Sequence, residues 1–333
     1  MTVILGIEST AHTLGIGIVE NEKILANVRD MYTTEQGGII PSESAKHHER
    51  VFQELYEKAL ETADIEEEDI DAIAFSQGPG LAPCLLVGLR KAKEISLKLN
   101  KPVVGVNHCV AHLEIGKITG AKDPVMLYTS GANTQIIAYA SGKYRVFGET
   151  LDIGVGNFID NFARYSGIGF PGGPVVEKLA KKGKNYIELP YKVKGMDIAL
   201  SGILTNLKQK VESGKYSKED LAYSLQETVF AMLVETAERA LAHTGKKELL
   251  LGGGVACNSR LQEMCKIMCD EREDGVKFFC PEKSLLVDNG AMIAFLGEIM
   301  FKAKSNVFKK ENLKDLDINA SERTDDIEVD WKN

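Results

Sequence analysis

The fold is decided by a stretch near the start of the sequence, Ile4-Leu5-Gly6-Ile7-Glu8-Ser9-Thr10-Ala11-His12-Thr13-Leu14-Gly15-Ile16-Gly17-Ile18-Val19. Two apolar runs flank a short polar turn there, and this pattern is typical of a β-hairpin. The chain repeats the pattern in Pro124-Val125-Met126-Leu127-Tyr128-Thr129-Ser130-Gly131-Ala132-Asn133-Thr134-Gln135-Ile136-Ile137-Ala138-Tyr139. Because further strand and helix patterns follow each hairpin, the repeat predicts two halves of one duplicated α/β plan, with a boundary near residues 117–123.

Two histidines lie four residues apart between the hairpins, in Val106-Asn107-His108-Cys109-Val110-Ala111-His112-Leu113-Glu114. An apolar run short enough to be a buried strand precedes them, so a helix starting near His108 would place both imidazoles on one face. Two imidazoles so placed can bind one transition metal. Two ordinary polar side chains near a helix start would give the same pattern, so the pair alone leaves both interpretations open.

Glycine-rich turns lead into helix patterns at four places. They are Gln77-Gly78-Pro79-Gly80, Gly154-Val155-Gly156, Gly169-Phe170-Pro171-Gly172-Gly173 and Gly252-Gly253-Gly254. Glycines at this density let a phosphate or a flat group approach the backbone at a helix N-terminus. Ordinary connections of α/β proteins contain similar turns, so each turn alone is weak evidence for a ligand.

Other segments give local predictions. A helix pattern runs from Ser44 to about Ala63, and its adjacent residues His47 and His48 are expected to point in different directions. Asp288 fits the N-cap of the last helix pattern, a role that does not exclude metal ligation. Residues 178–217 lack a regular pattern, and the tail from about residue 314 is acidic and expected to be extended or mobile.

Composition limits the partners of the chain. The net charge of −8 argues against binding nucleic acid alone over a broad surface. One local strip is basic and is either ordinary solvated surface or a weak candidate for facing RNA: Lys178, Lys181, Lys182, Lys184, Lys192 and Lys194. The six cysteines form no Cys-x-x-Cys pair and are interpreted as buried free thiols. No apolar run is long enough to span a bilayer, which favours a cytoplasmic protein without membrane contact.

Eight motifs occur in order along residues 4–300. They are Glu8-Ser9-Thr10-Ala11-His12-Thr13, Gly37-Gly38-Ile39-Ile40-Pro41, Ser76-Gln77-Gly78-Pro79-Gly80, Asn107-His108-Cys109-Val110-Ala111-His112, Tyr128-Thr129-Ser130-Gly131-Ala132-Asn133-Thr134, Phe170-Pro171-Gly172-Gly173-Pro174, Gly252-Gly253-Gly254-Val255-Ala256-Cys257-Asn258 and Asp288-Asn289-Gly290-Ala291-Met292. Together the motifs resemble the archaeal and eukaryotic branch of the TsaD/OSGEP family, the catalytic subunit of the KEOPS complex. Two positions depart from the family pattern and concern loop contacts: Ser42, where many relatives have arginine, and Leu200, where Phe-Ser-Gly is common.

The resemblance implies an α/β protein with the actin-like ATPase (ASKHA) fold, in which two duplicated domains enclose a ligand cleft. The first domain is expected at residues 1–120, completed by a carboxy-terminal helix at about 288–306. The second is expected at residues 121–287 and contains an insertion at about 178–217. Residues 307–333 are expected to form an extended acidic tail or linker.

The resemblance also implies an activity on tRNA. Family members transfer a threonylcarbamoyl group from threonylcarbamoyl-AMP to N6 of the adenosine 3′ of the anticodon, and AMP leaves. Their metal ligands fall on His108, His112, Tyr128 and Asp288, which would hold one iron or zinc ion. Their contacts to ATP, AMP or the acyl-adenylate fall on Tyr128, Thr129, Ser130, Gly131, Ala132, Asp160, Gly173, Glu177 and Asn258, with Mg²⁺ as a further ion.

The partners implied by the resemblance are tRNA and the KEOPS subunits. These include a small protein kinase or ATPase, which some relatives carry in the same chain after the tail. Because the chain is acidic, we expect it to bind tRNA poorly alone and to gain affinity with its partner subunits.

Three other functions compete with this interpretation. The two histidines have zincin spacing, but a zincin needs glutamate in the second position of His-Glu-x-x-His, and that position is Cys109. A sugar-kinase-like or chaperone-like ATPase of the same fold would use carboxylates and Mg²⁺ without a dedicated imidazole pair. A scaffold without catalytic activity would leave the glycine turns unexplained.

Overall fold

The computed structural model describes residues 2–34 and 38–332. Gly37 of the second motif and Asn333 of the predicted tail therefore lie outside the described residues. The strands, in chain order, are β1 (Val3–Glu8), β2 (Thr13–Glu20), β3 (Lys23–Met31), β4 (Ala72–Gly78), β5 (Val103–Asn107), β6 (Val125–Thr129), β7 (Thr134–Ala140), β8 (Lys143–Glu149), β9 (Val193–Lys194), β10 (Asp197–Ile198), β11 (Glu248–Gly252), β12 (Lys277–Phe279) and β13 (Val307–Phe308).

The α-helices are α1 (Pro41–Ala63), α2 (Ala82–Leu99), α3 (His108–Glu114), α4 (Val155–Tyr165), α5 (Gly173–Ala180), α6 (Ser201–Glu212), α7 (Lys218–Thr244), α8 (Ser259–Glu271), α9 (Lys283–Leu286) and α10 (Gly290–Ala303). Short 3₁₀ helices lie at Glu67–Asp69, Ile115–Thr119, Gly254–Cys257, Leu313–Asp315 and Thr324–Asp326. Among the described residues no helix is long and apolar enough to cross a membrane.

Two mixed sheets repeat one strand plan. The first has the order β13-β5-β4-β1-β2-β3 and the second the order β12-β11-β6-β7-β8. In the first sheet β1, β2 and β3 form an antiparallel meander, and β4 and β5 continue from β1 in parallel. In the second sheet β6, β7 and β8 form the same meander, and β11 and β12 continue from β6 in parallel. The structure thus confirms the duplicated plan predicted from the two hairpins.

Helix α10 packs directly on the first hairpin. Its first residue, Gly290, lies so close to β2 that a Cβ on Gly17 would overlap the backbone of Gly290 and Ala291. Gly6 in β1 makes a similar backbone approach to α10, at Gly290 and Ala294. Glycine in a strand weakens it unless another backbone approaches closely, and here one does. This contact fixes where α10 starts, directly after Asp288 and Asn289.

The segment predicted as irregular contains the helix α6, so that prediction was wrong for residues 201–212. Ile203 and Leu207 lie four residues apart and are buried in the core of the second half. Asp152 accepts hydrogen bonds from the backbone N–H groups of Leu200 (2.9 Å) and Ser201 (2.9 Å) at the helix start. The helix depends on these distant partners, and the local pattern therefore did not reveal it.

The tail follows an extended course, but it is packed against both sheets and differs in this from the expectation of a mobile segment. Leu313, Leu316, Thr324 and Val329 are buried. At the start of the tail, β13 pairs with β5 at the edge of the first sheet. Further along, Asn319 donates its backbone N–H to the Gln77 carbonyl (2.9 Å). The tail was expected to be mobile because its overall composition is acidic. Its order depends on a few apolar residues spaced along it, and composition alone does not reveal them.

Candidate functional site

Helix α3 begins at the carboxyl end of β5, as the spacing predicted. Asn107 is its N-cap, and its side chain accepts a hydrogen bond from the Val110 backbone N–H (3.0 Å). His108 and His112 are 5% and 1% exposed, one turn apart on the same face. Their rings lie edge to face with centroids 4.8 Å apart. The helix therefore directs two buried imidazoles to one place.

Asp288, directly before α10 in the same half of the molecule, completes the cluster. Its Oδ1 lies 3.5 Å from His108 Nε2 and 3.4 Å from His112 Nε2. One nitrogen of each ring and one carboxylate oxygen lie within 4.8 Å of one another. This is a facial set of two histidines and a carboxylate, which suits a divalent transition metal.

The prediction that Asp288 caps α10 was wrong by one residue. The N-cap is Asn289, whose Oδ1 accepts from the Met292 backbone N–H (3.0 Å) and whose Nδ2 donates to the Val287 carbonyl (2.7 Å). Because Asn289 caps the helix, the carboxylate of Asp288 is free to face the histidines.

Glu8 is a functional residue that sequence reasoning missed. It ends β1 and is fully buried, and its Oε2 lies 2.9 Å from His108 Nδ1. Its Oε1 accepts from the backbone N–H (2.7 Å) and from the hydroxyl (2.5 Å) of Thr10. A carboxylate on the second nitrogen fixes the tautomer and orientation of a metal-binding imidazole. A glutamate at the end of an otherwise apolar strand was the available signal.

Charge in this cluster is mutually compensated. Burial alone would lower the pKa of His108, but the carboxylates of Glu8 and Asp288 outweigh burial and raise that pKa well above 6.5. Burial lowers the pKa of His112, which has weaker carboxylate contacts. Burial acts to raise the pKa of Asp288, yet hydrogen bonds from both histidines hold it well below its ordinary value of 3.8. A cation bound by these side chains would compete with protons for them, because metal ligands must be deprotonated.

Tyr128 lies beside the cluster at the end of β6. Its ring centroid is 5.1 Å from that of His112, and its hydroxyl is buried without a hydrogen-bond partner. His112 Nδ1 is also buried and unpaired. Buried polar atoms normally have partners, so an unpaired phenol oxygen on a ring beside His112 fits a fourth ligand for a cation at this cluster. The donor set of two nitrogens and two oxygens suits iron or zinc.

The predicted adenylate residues lie in the second half of the molecule, around the tip of the second hairpin. The backbone of that tip is held by α4: Gly156 N–H donates to the Ser130 carbonyl (3.0 Å) and Asn157 N–H to the Gly131 carbonyl (2.9 Å). Thr129 Oγ1 donates to the Gly252 carbonyl (3.2 Å), while Gly131 and Ala132 are exposed. The glycine at 253 has φ +89° and lies against the Thr129 carbonyl, where a side chain would not fit.

The remaining predicted contacts form two pairs beside this tip. Asp160 Oδ1 accepts from the Gly172 backbone N–H (2.8 Å), next to Gly173. Glu177 accepts from the hydroxyl (2.7 Å) and backbone N–H (3.2 Å) of Ser259, next to Asn258. Burial raises the pKa of Asp160. Burial also acts to raise the pKa of Glu177, but hydrogen bonds from Ser259 and Lys181 outweigh it and lower that pKa.

The tip of the first hairpin is held by α1. His48 Nε2 donates to the Ala11 carbonyl (3.1 Å), which also accepts from Ser44 Oγ (2.7 Å). The Nδ1 atoms of His47 and His48 lie 3.4 Å apart, but the far nitrogens of the two rings reach different partners, as predicted: His47 Nε2 lies 2.7 Å from Asp30 Oδ1 in β3, and His48 Nε2 reaches Ala11. Neither reaches the metal cluster.

The duplicated sheets and the buried His-His-carboxylate cluster define the class: an actin-like ATPase (ASKHA) fold with a candidate metal site in its cleft. HypF from Thermococcus kodakarensis superimposes on the chain with a TM-score of 0.64, at 15% identity over 90% of this chain and 48% of its own. Component A of the (R)-2-hydroxyglutaryl-CoA dehydratase of Acidaminococcus fermentans superimposes with a TM-score of 0.56, at 13% identity over 89% of this chain and 98% of its own. At such identities the likeness concerns the fold alone.

Sequence comparison gives the family. The model of the TsaD family, described as tRNA N6-adenosine threonylcarbamoyltransferase, matches residues 23–295. A tRNA N6-adenosine threonylcarbamoyltransferase of Thermococcus kodakarensis is 59% identical over 329 residues, 99% of each chain. A probable bifunctional tRNA threonylcarbamoyladenosine biosynthesis protein of Methanosarcina mazei is 52% identical over 99% of this chain and 60% of its own length. The chain belongs to the TsaD family, as the eight motifs predicted.

Proposed function

We propose that the chain transfers a threonylcarbamoyl group from threonylcarbamoyl-AMP to N6 of the adenosine 3′ of the anticodon in tRNA. The bond between the carbamoyl carbon and the phosphate oxygen breaks, a bond from N6 to that carbon forms, N6 releases one proton to solvent, and AMP leaves. The observation that carries the proposal is the meeting of His108, His112 and Asp288 in one buried cluster. Full-length relatives with the corresponding name support it.

His108, His112, Tyr128 and Asp288 would hold one iron or zinc ion. Such an ion would supply Lewis-acid polarisation of the carbamoyl oxygen as charge develops on it. The protein keeps the donors in place: Glu8 orients His108 through Nδ1, and Asn107 fixes the start of α3. Burial of these side chains excludes water, which strengthens their electrostatic effect.

The second hairpin tip and the turns around it would position the adenylate. Gly131 and Ala132 are exposed and would contact the adenylate, and the Gly172–Gly173 turn would let a phosphate approach without a side chain in the way. Asp160, Glu177 and Asn258 would contact the nucleotide, with Mg²⁺ as a further ion. Holding the acyl-adenylate beside the metal cluster lowers the entropic cost of the transfer.

The larger setting of the site is also part of the proposal. The two domains would be residues 1–120 with the helix at about 288–306, and residues 121–287, enclosing the cleft between their hairpin tips. KEOPS subunits, including a small kinase, are the proposed partners, and the longer bifunctional relatives agree with such a partnership. A cytoplasmic location follows from the tRNA substrate.

The competing functions are less well supported. A peptidase would need a base at position 109, where the thiol of Cys109 is buried and its pKa is raised by burial. A phosphoryl-transferring ATPase of this fold would leave the imidazole pair and the orphaned hydroxyl of Tyr128 without a purpose.

The test combines metal content with product formation. The double variant H108A/H112A is expected to lose bound iron or zinc, measured by elemental analysis after purification without chelator. It is also expected to lose formation of N6-threonylcarbamoyladenosine, measured by mass spectrometry in reactions with threonylcarbamoyl-AMP, tRNA and partner subunits. H243A, at an exposed histidine of α7, is the matched control. Full transferase activity in the double variant would contradict the proposal.

A further inference from the structure

Basic residues are concentrated in one part of an acidic chain. Residues 161–220 contain eleven Lys and Arg against six Asp and Glu, whereas the whole chain has 40 against 48. This part includes the basic strip at residues 178–194, whose six lysines are all exposed. The remainder of the protein therefore carries a net negative charge, and a polyanion would be attracted to this region in preference to the rest.

Four segments of this region meet at one end of the second half. Arg164 and Lys208 both lie against the ring of Tyr165, with the guanidinium carbon 5.5 Å and the ammonium nitrogen 5.2 Å from its centroid. Lys218 Nζ donates to the Ser166 carbonyl (2.5 Å) beside them. The backbone N–H of Lys184 donates to Asp220 (2.8 Å), which brings its segment to the start of α7. We call this set the basic end: Arg164, Tyr165, Lys184, Lys208 and Lys218.

Nearby carboxylates only partly neutralise the basic end. Glu212 pairs with Lys208 at 3.8 Å, and both side chains are about half exposed, so the pair is weak. The carboxylate of Asp220 is already occupied by the backbone of Lys184 and Asn185 and by the side-chain amide of Asn185. Lys218 and Arg164 donate to neutral partners, the Ser166 carbonyl (2.5 Å) and Asn161 Oδ1 (2.6 Å), so their positive charges can still attract an external anion.

Exposed aromatic rings accompany the charges. Among the large hydrophobic side chains that are exposed in the described part of the chain, the aromatic ones are Tyr186, Tyr191 and Tyr216. All three belong to residues 161–220, and Lys210 lies over the ring of Tyr216 at 5.1 Å. Proteins that bind single-stranded nucleic acid combine cations for phosphates with aromatic rings for bases in this way. A surface for acidic protein segments would not need the rings.

A short path connects the basic end to the metal cluster. The loop that starts at Ser166 reaches Phe170, whose ring meets that of His12 edge to face at 5.3 Å across the cleft. Phe170 also donates its backbone N–H to the Thr34 carbonyl (3.2 Å). Two residues before His12, the hydroxyl of Thr10 lies 3.4 Å from His108 Nδ1. The loop that leaves the basic end at Ser166 thus comes, through Phe170 and His12, close to the candidate metal ligands.

We propose that the basic end binds the phosphates flanking the target adenosine of the tRNA, and that His12 and Phe170 receive the base as it enters the cleft. An adenosine must leave its stack before an enzyme can act on its amino group, and aromatic side chains offset the lost stacking. The inference rests on the proposed tRNA substrate and adds where on the protein the RNA lies.

The binding test uses the full chain together with its partner subunits and a fluorescent anticodon stem-loop RNA, with anisotropy measured over a range of salt concentrations. The triple variant R164Q/K208Q/K218Q is expected to bind at least about tenfold more weakly at about 50 mM salt. Its salt dependence is expected to be shallower by about 2 in the log–log slope, because three phosphate contacts to a single strand are lost. The matched control K277Q/K309Q/K310Q removes the same charge at exposed lysines elsewhere and is expected to bind like the unchanged chain.

The base-receiving role is tested with a fluorescent adenine analogue at the target position of the same RNA. The unchanged chain and F170Y are expected to alter its emission on binding, and F170A to alter it much less while keeping the salt slope. Equal emission changes in F170A and F170Y would overturn this part of the proposal.

The outcomes separate this inference from the proposed reaction. Equal affinity and slope in the two triple variants would overturn the proposed role of the basic end, as would failure of the unchanged chain to bind the RNA at about 50 mM salt when its partner subunits are present. Displacement of the RNA by an acidic peptide at equal charge concentration would point to a protein partner and also overturn it. Salt-sensitive binding lost in the basic-end triple, without any threonylcarbamoyl transfer by the unchanged chain, would contradict the transferase reaction and support the RNA surface.

Discussion

At the scale of single residues, Asp288 and Glu8 hold opposite sides of the same imidazole. Asp288 Oδ1 faces His108 Nε2 at 3.5 Å, while Glu8 Oε2 faces His108 Nδ1 at 2.9 Å. Both carboxylates raise the pKa of His108 against the effect of burial. With a cation bound at Nε2, only the contact to Glu8 would continue to orient the ring. Glu8 is therefore the positioning residue of the proposed site.

The first prediction concerns Glu8. E8Q keeps the size of the side chain but removes its negative charge, so His108 becomes a weaker and less well oriented ligand. We expect the metal dissociation constant to rise by about 10- to 100-fold, measured by competition with a chromogenic chelator. E20Q, at the far end of β2, is the control and should leave it unchanged. A metal affinity unaffected by E8Q would show that Glu8 does not act through His108.

The sequence identified the cluster but not its arrangement. The spacing of His108 and His112 was readable because a helix brings residues four apart to one face. Asp288 and Asn289 are both good N-cap residues, and only the start of α10 decides which one caps. That start is set by the contact of Gly290 with Gly17, more than 250 residues earlier in the chain, and no local pattern contains it.

At the scale of elements, the contact between α10 and the first hairpin sets the geometry of the site. Gly6, Gly17 and Gly290 let two backbones approach without side chains between them. The contact fixes the position of α10 on the first hairpin. It therefore also fixes the position of the Asp288 carboxylate relative to α3. The stability of the fold and the metal affinity of the site should therefore change together.

The second prediction tests this coupling. G17A would force a Cβ into the backbone of Gly290 and Ala291, and packed interiors respond to such overpacking with shifts costing about 1–3 kcal/mol. We expect urea unfolding to show a loss of this size, together with weaker metal binding. G202A, at an exposed position of α6 where a Cβ meets nothing within 4 Å, is a comparison without such an overlap. Normal metal affinity in a destabilised G17A protein would separate the two effects.

The third prediction concerns the contact between α1 and the hairpin tip. Burial, together with the neighbouring His47 and His12, lowers the pKa of His48 to about 4. Between its ordinary pKa of 6.5 and about 4, the unfolded chain binds a proton that the folded chain does not, so stability falls as the pH falls. By pH 5 we expect a loss of about 2 kcal/mol relative to pH 7 from this group.

H48Q tests the contribution of His48 to the pH dependence of stability. Glutamine can still donate a hydrogen bond to the Ala11 carbonyl, but it does not titrate. The difference between unfolding free energies at pH 7 and pH 5 should be smaller in H48Q than in the unchanged chain by about 2 kcal/mol. H243Q, at an exposed histidine, should leave that difference as it is. An identical pH dependence in H48Q and the unchanged chain would rule out His48 as its source.

At the scale of the whole molecule, the tail connects the two halves. Glu322 accepts a hydrogen bond from Asn107 Nδ2 (2.7 Å), directly before α3 in the first half. Thr324 donates a hydrogen bond to Gln135 in the second sheet (3.2 Å). Trp331 then packs beside Tyr144, with ring centroids 6.4 Å apart. The duplicated fold was predictable because each half repeats a local pattern. The course of the tail was not, because its order depends on partners spread over the whole chain.

Near its end, the tail forms an ion pair with a buried glutamate at the end of α3. Lys332 Nζ lies 3.0 Å from Glu114 Oε1 and over the rings of Tyr139 and Tyr144, at 4.7 and 4.8 Å. Glu114 is fully buried at the end of α3 and also contacts Lys117 and the Tyr144 hydroxyl. Burial would raise the pKa of Glu114, but Lys332 and Lys117 outweigh it and hold the pKa below 4.5.

The fourth prediction follows from this pair. K332M leaves the buried carboxylate of Glu114 with one lysine partner, and removal of one member of a buried pair costs about 3 kcal/mol or more. E114Q/K332M removes both charges and should recover a large part of that loss, since no buried charge is left unpaired. Urea unfolding of the two single variants and the double variant gives the coupling energy. Additive losses would mean that the tail is held by Trp331 and its apolar neighbours, and that the ion pair contributes little.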